Sequence, residues 1–151
     1  MSTVALRPAT AEDGKFIASS WLNSFQSAYH VKRMSSETYY SNHRGLITSL
    51  VDRGVVTVAC DPQDPWTIWG WGCHEYRGSV LVAHYVYVKN AFRSLGVGST
   101  LFSSFLRADT DSVLWTHDTK VSRSFLKGLR ESETLPASVS AEYNPYVMYR
   151  P

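Results

Sequence analysis

The sequence is poor in cysteine, in long apolar runs and, over one stretch, in acid. Its two cysteines, Cys60 and Cys73, lie in strand-like runs without Cys-x-x-Cys spacing and without a histidine at metal-ligand spacing. That disfavours zinc, so no metal is expected, and it predicts two buried thiols in a reducing compartment. Cys73-His74 is no catalytic dyad, because neighbours on a strand point to opposite faces. No apolar run approaches the roughly 18 residues of a bilayer span. The opening Met1-Ser2-Thr3-Val4-Ala5-Leu6-Arg7-Pro8 lacks the basic-then-apolar layout of a secretory signal. The expectation is a cytoplasmic protein without a membrane partner. Repeats, low-complexity tracts and linkers are also missing, so residues 1–151 read as one domain.

Aromatic residues are plentiful. Five Trp, nine Tyr and six Phe in a chain that is 44% hydrophobic supply enough apolar surface to offset the entropy of ordering. The net charge of +2 is too small to argue for nucleic acid, but its distribution is uneven. From Tyr76 to Ala108 there is no acidic side chain, whereas Arg77, Lys89, Arg93 and Arg107 all fall there; Lys120, Arg123, Lys127 and Arg130 follow. Such a region suits a polyanionic small molecule, and it also reads as an ordinary solvated face.

Local patterns predict a mixed α/β chain. Val4 to Pro8 reads as a strand closed by proline. Thr10 with Glu12 and Asp13 caps a first helix carrying Phe16, Ile17, Ser20, Trp21, Ser24 and Phe25 near helical spacing. A second helix is expected over Ser36 to Val51, ended at Arg53-Gly54. Three strands follow, Val55 to Cys60, Trp66 to Tyr76 and Val80 to Val88, separated by a turn cluster at 61–65 and a hairpin turn at 77–79. A polar loop then leads to a helix over Ser99 to Leu106. Val113 to Thr116 is a short strand and Val121 to Leu129 a short helix, and the tail from Leu135 to Tyr149 carries one or two further strands. The pattern implies an antiparallel start and one βαβ crossover in the second half.

The chemistry concentrates in the loop. Arg93-Ser94-Leu95-Gly96-Val97-Gly98-Ser99 follows a strand and opens a helix, so its consecutive backbone N–H groups form a cradle for phosphate oxygens. It is neither a Walker loop nor a full dinucleotide Gly-x-Gly-x-x-Gly.

Val86-Tyr87-Val88 followed by Arg-x-x-Gly-x-Gly resembles the GCN5-related N-acetyltransferase (GNAT) superfamily. The order of elements, from an Arg-Pro-Ala-Thr-x-x-Asp entry at Arg7 to Asp13 onward, is similar over most of the chain. The resemblance implies a mostly antiparallel central sheet with a splayed parallel pair and flanking helices, the acyl-CoA N-acyltransferase type. It also implies an acetyl-CoA site. The pyrophosphate would sit on the amides of Ser94, Leu95, Gly96, Val97, Gly98 and Ser99, and the pantetheine arm along Val86, Tyr87 and Val88. Arg93, with Lys127 or Arg123, would meet the 3′-phosphate. Thr119 and Ser122 stand at two cofactor-contact positions of the last helix.

Many GNAT members carry a glutamate four residues before the final valine of the strand; here His84 stands there, a base with ordinary pKa near 6.5. The same histidine also reads as a hydrogen-bonded core residue, and Tyr85, on the other face, and Glu75 are lesser candidates. Where the family's last helix places a tyrosine acid this chain has Leu126, which leaves Tyr143 or Tyr146 on the tail as substitutes. Trp21, Phe25, Tyr29, Tyr39 and Tyr40, with Trp66, Trp69 and Trp71, read as an acceptor pocket or as core. His30, Lys32 and Arg33, between the first two helices, would favour an acidic or phosphate-bearing acceptor.

Two functions follow. One is N-acetyl transfer from acetyl-CoA to an amine (a small molecule, a peptide or a modified base) by direct attack in a ternary complex. The other is a catalytically degenerate GNAT-like binding or structural module. Leu126 favours the second and the intact loop the first. The stretch His84 to Arg93 also resembles acetyltransferase-like proteins of bacteriophages, and a homodimer is a further expectation.

Overall fold

The structure is a computed structural model and describes residues 4–149, apart from the side chains of Tyr29 and His30. Met1 to Thr3, the start of the expected non-signal N-terminus, lie outside the described residues. The strands are β1 (Ala5–Pro8), β2 (Val55–Asp61), β3 (Asp64–Arg77), β4 (Val80–Val88), β5 (Ser112–Trp115) and β6 (Ser140–Tyr143). The helices are α1 (Gly14–Phe25), α2 (Tyr29–Lys32), α3 (Ser36–Arg53), α4 (Val97–Phe105) and α5 (Lys120–Glu131), with short 3-10 turns at Ala11–Asp13, Asn90–Phe92 and Pro145–Tyr149.

The six strands lie side by side in chain order. β1 to β4 are antiparallel neighbours; β5 runs parallel to β4 and β6 parallel to β5. The second half therefore holds two βαβ crossovers, through α4 and α5, rather than the expected one. A single tail strand feeds the second of them. Two further boundaries differ. β3 starts at Asp64 because the 61–65 cluster closes a tight hairpin, Asp61 opposite Asp64, and α4 starts at Val97 rather than Ser99.

The two faces of the sheet bury different cores. α1 and α3 cover one face with Trp21, Phe25, Tyr39, Ile47 and Leu50 against Val58, Trp71 and Cys73. α4 and α5 cover the other with Phe102, Phe105 and Leu129 against Leu81, Ala83 and Val113. Alternation along β3 sends Trp71 and Cys73 to the first face and His74 to the second, where its ring stacks on Phe105 at 4.3 Å. Both cysteines are buried free thiols. Trp21, Phe25 and Tyr39 are core, whereas Trp66 is 60% exposed at the β2–β3 hairpin. Trp69 stacks on Phe92 at 4.9 Å, so the three β3 tryptophans do not form one cluster.

The entry to α1 is pinned electrostatically. Arg7 donates to both oxygens of Asp13 at 2.8 and 3.0 Å, and the Thr10 backbone N–H donates to the same carboxylate at 2.7 Å. The hydrogen bond from Arg7, aided by that from Thr10, holds the Asp13 carboxyl down at about 2. A lowered carboxyl pKa contributes stability that is complete above its unfolded value and is lost as pH falls through its folded value. We expect Asp13→Asn to lower the melting temperature at pH 5 to 7. That deficit should shrink steadily as thermal melts are taken from pH 4 down to pH 2.

Candidate active site

β4 outlasts its parallel neighbour. Pairing with β5 ends at Ala83 opposite Trp115, with one further link from the Thr116 N–H to the Ala83 carbonyl at 3.2 Å. Beyond it β4 continues to Val88, bonded to β3 alone, so the parallel pair splays. Lys89 N–H donates to the Trp69 carbonyl at 2.8 Å, which fixes the phase of the ladder. Antiparallel alternation then turns the N–H and C=O groups of Val86 and Val88 away from β3, into the gap. Tyr87 points its ring the other way, onto Phe16 and Trp71.

The glycine loop closes one end of the gap. Gly96, at φ +76°, caps α4 in the left-handed region that favours glycine. Gly98 is needed for space: a Cβ there would lie 3.0 Å from Cε1 of Phe125 and 3.6 Å from Cγ2 of Val88. Phe125 belongs to α5, so this glycine sets how closely the two crossover helices approach. The N–H groups of Val97, Gly98 and Ser99 open α4 and have no carbonyl one turn back to bond. Arg93 donates from Nε to the Val88 carbonyl at 2.9 Å, bracing the loop against the strand end.

Gap and loop open into a single cavity of about 580 Å³. Val86, Tyr87, Val88, Arg93, Gly96, Gly98 and Ser99 line it from the cradle, and Thr119, Ser122, Phe125 and Leu126 from α5. Ser94, Leu95 and Val97 are not in the lining; Leu95 is 68% exposed and Val97 is buried beneath α4. Thr119 and Ser122 are engaged in a capping box. Ser122 N–H donates to Oγ1 of Thr119 at 2.9 Å, and Thr119 N–H donates to Oγ of Ser122 at 2.7 Å. Arg123 is 59% exposed and paired with Asp118 at 2.6 Å. Neither Tyr143 nor Tyr146 lines the cavity; they are 39% and 73% exposed. Leu126 does line it, so α5 presents no phenol there.

His84 lies at the inner end of the splay. The β3–β4 register shifts here, with Cys73 opposite Tyr85 but His74 opposite Ala83, so His84 is the extra residue of a β-bulge. The bulge resets the alternation. Ala83 packs toward α4, yet His84 and Tyr85 both turn to the α1–α3 side, which corrects the expectation that they face opposite ways. Tyr85 stacks on Trp21 at 5.2 Å and shares a hydrogen bond of 2.7 Å with Ser24. Burial pushes its phenol up to about 12. The His84 side chain is 0% exposed, and both ring nitrogens are occupied: Nε2 meets Glu75 Oε2 at 2.6 Å and Nδ1 meets Thr116 Oγ1 at 3.0 Å. Burial lowers the pKa of His84 by more than Glu75 restores. Burial alone would raise the pKa of Glu75, but hydrogen bonds from His84 and from Arg53, at 2.9 Å, outweigh it and keep the carboxyl ionised.

Sequence reasoning passed over His117 and His43. Thr116 Oγ1 also contacts His117 Nδ1 at 2.9 Å, and His117 Nε2 lies 3.0 Å from His43 Nε2. His117 lines the cavity, with Trp21, Phe25 and Tyr85 around its ring at 5.2, 4.5 and 5.4 Å. No spacing signal links residues 74 positions apart; only the fold brings them together.

The antiparallel start, the splayed β4–β5 pair, the bulge and the glycine loop ahead of α4 together are the GNAT acyl-CoA N-acyltransferase fold. Among solved structures sharing it is one described as histone acetyltransferase HPA2 and related acetyltransferase from Corynebacterium glutamicum. It is 16% identical, with a TM-score of 0.61 over 85% of this chain and 84% of that one. A GNAT-family acetyltransferase of Staphylococcus aureus is 10% identical with TM-score 0.59, covering 84% and 82%. An integron cassette protein from the mobile metagenome of V. cholerae is 12% identical with TM-score 0.56, covering 87% and 85%. No protein-family model and no curated protein matches the sequence.

Proposed function

We propose that this chain is an acetyl-CoA-dependent N-acetyltransferase acting on a primary amine by direct attack in a ternary complex. The observation that carries it is one cavity joining the phosphate-binding cradle, the open edge of β4 and a buried base. The residues present fit coenzyme A. Unbonded amides at the start of α4 suit a pyrophosphate, and the groups of Val86 and Val88 turned into the gap suit the amides of the pantetheine arm. Any side chain at position 98 would crowd this space.

Bound acetyl-CoA supplies an activated thioester carbonyl. The chain holds it against β4, keeps water out with Phe102, Trp115 and Phe125, and offers His84, backed by Glu75, as the destination of the amine's proton. Among the described residues lining the cavity, Arg93 is the single Lys, Arg, Asp or Glu side chain, and no carboxylate is among them. That favours an amine without further positive charges over a polycation. With no phenol from α5 the thiol leaves without a dedicated acid, which its low basicity permits.

Thiol release from acetyl-CoA across a panel of primary amines, from benzylamine to spermidine, tests this directly. Turnover is expected for singly charged amines, with spermidine at least about tenfold poorer; binding of acetyl-CoA without transfer to any amine would instead leave a cofactor-bound scaffold. Gly98→Ala is expected to weaken acetyl-CoA binding about tenfold or more, read by calorimetry, because the new methyl crowds the amides that open α4 and forces Phe125, which lines the cavity, to shift.

A further inference from the structure

Four hydrogen bonds in series connect His43, His117, Thr116, His84 and Glu75. Their direction follows from elementary chemistry. An ionised carboxylate only accepts, so His84 donates from Nε2 to Glu75. In the neutral ring Nδ1 of His84 then accepts, and the Thr116 hydroxyl donates to it. That hydroxyl has one proton, so His117 must donate from Nδ1 to Thr116 Oγ1. Nε2 of neutral His117 is thereby the acceptor, and His43 donates to it from its own Nε2. Every donor points toward Glu75. Each ring is tied to one tautomer. His84 and His117 both line the cavity, but Glu75 and Thr116 take the two ring nitrogens of His84, whereas Nε2 of His117 meets the half-buried His43.

We infer that His117, rather than His84, is the group that receives the acceptor's proton, and that Thr116, His84 and Glu75 are positioning residues which pass it inward. The assignment rests on the acetyltransferase function proposed above. With the amine in His43's place, its proton moves to Nε2 of His117, the Nδ1 proton of His117 moves to Oγ1 of Thr116, and the hydroxyl proton moves to Nδ1 of His84. The amine is left neutral with its lone pair, and His84 becomes an imidazolium held against the Glu75 carboxylate. The proton returns by the same route to Nε2 of His117, leaves to solvent once the acetylated product has left the cavity, and His43, half-buried on α3, resumes its place. The aromatic walls of Trp21, Phe25 and Tyr85 keep the path dry. The charged and titratable groups around it include His74, Glu75 and Arg77 on β3, Tyr39, His43 and Arg53 on α3, and Tyr85 on β4.

The test uses the full chain labelled with nitrogen-15 histidine and read by imidazole NMR between pH 5 and 9. Protons on Nε2 of His84 and on Nδ1 of His117 are expected, and the two rings should titrate as a coupled pair taking up one proton first. Thr116→Val should uncouple them and lower thiol release with benzylamine about tenfold or more, leaving acetyl-CoA affinity unchanged; Thr116→Ser should restore both. Independent titration of the two rings in the wild-type chain, or a His117 proton on Nε2, would overturn the relay. So would Thr116→Val with unchanged coupling. Loss of acetyl-CoA binding by the wild-type chain would strike the function instead, since the NMR readout needs no cofactor.

Discussion

Replacing His84 by Ala or Gln should lower kcat by about 10²–10⁴ while leaving acetyl-CoA binding intact. The split follows from where the residue sits. Its ring has no exposed surface and bonds inward, to Glu75 and Thr116, whereas the proposed cofactor cradle is backbone of the 94–99 loop and of Val86 and Val88. Glu75 keeps Arg53 at 2.9 Å and Arg77 at 3.8 Å after the substitution, so no unpaired charge is buried. The pH profile carries a second signature. The relay can take up a proton only while His84 is neutral, and burial lowers the pKa of His84 from its ordinary value. Activity should therefore hold through neutral pH and fall only below about 6.5, the ordinary histidine value. A descending limb at or above that value would contradict a buried His84.

Trp21→Ala should be the most damaging single change to stability. Trp21 is 0% exposed and packs on Trp71, Tyr85 and His117, each with ring centroids 5.2 Å away. Removing a buried indole costs about 3–5 kcal/mol, and for a domain of this size about 1 kcal/mol moves Tm by roughly 2–4 °C. A fall of about 10 °C by calorimetry is expected. The loss also opens the dry wall of the His117 path, so the remaining folded enzyme should be slower at a temperature where it is fully native. A change of less than about 1 kcal/mol would mean that the cluster is not the centre of the α1–α3 core.

What the sequence made legible was local. Val86 to Ser99 carries its meaning in consecutive residues, and the structure puts a left-handed Gly96 and a crowded Gly98 where a cradle requires them. Helix caps and strand runs likewise depend on neighbours, so the order of elements was readable, apart from the second crossover. That crossover depends on how a four-residue β6 finds β5, a contact no local pattern encodes. The proposed proton relay was half legible. Position 84 could be found from its distance to Val88, but the bulge that turns His84 and Tyr85 to one side is a property of pairing with β3. Thr116, His117 and His43 carried no signal, because a hydrogen-bonded chain spanning α3, β4 and the end of β5 exists only after folding.

The central claim is that the cradle binds an acyl-coenzyme A. Isothermal titration of the protein with acetyl-CoA tests it most directly. Saturable binding at one site per chain is expected, competed by free coenzyme A and weakened by Gly98→Ala; absence of binding to the folded wild-type protein would contradict an acyl-coenzyme A site.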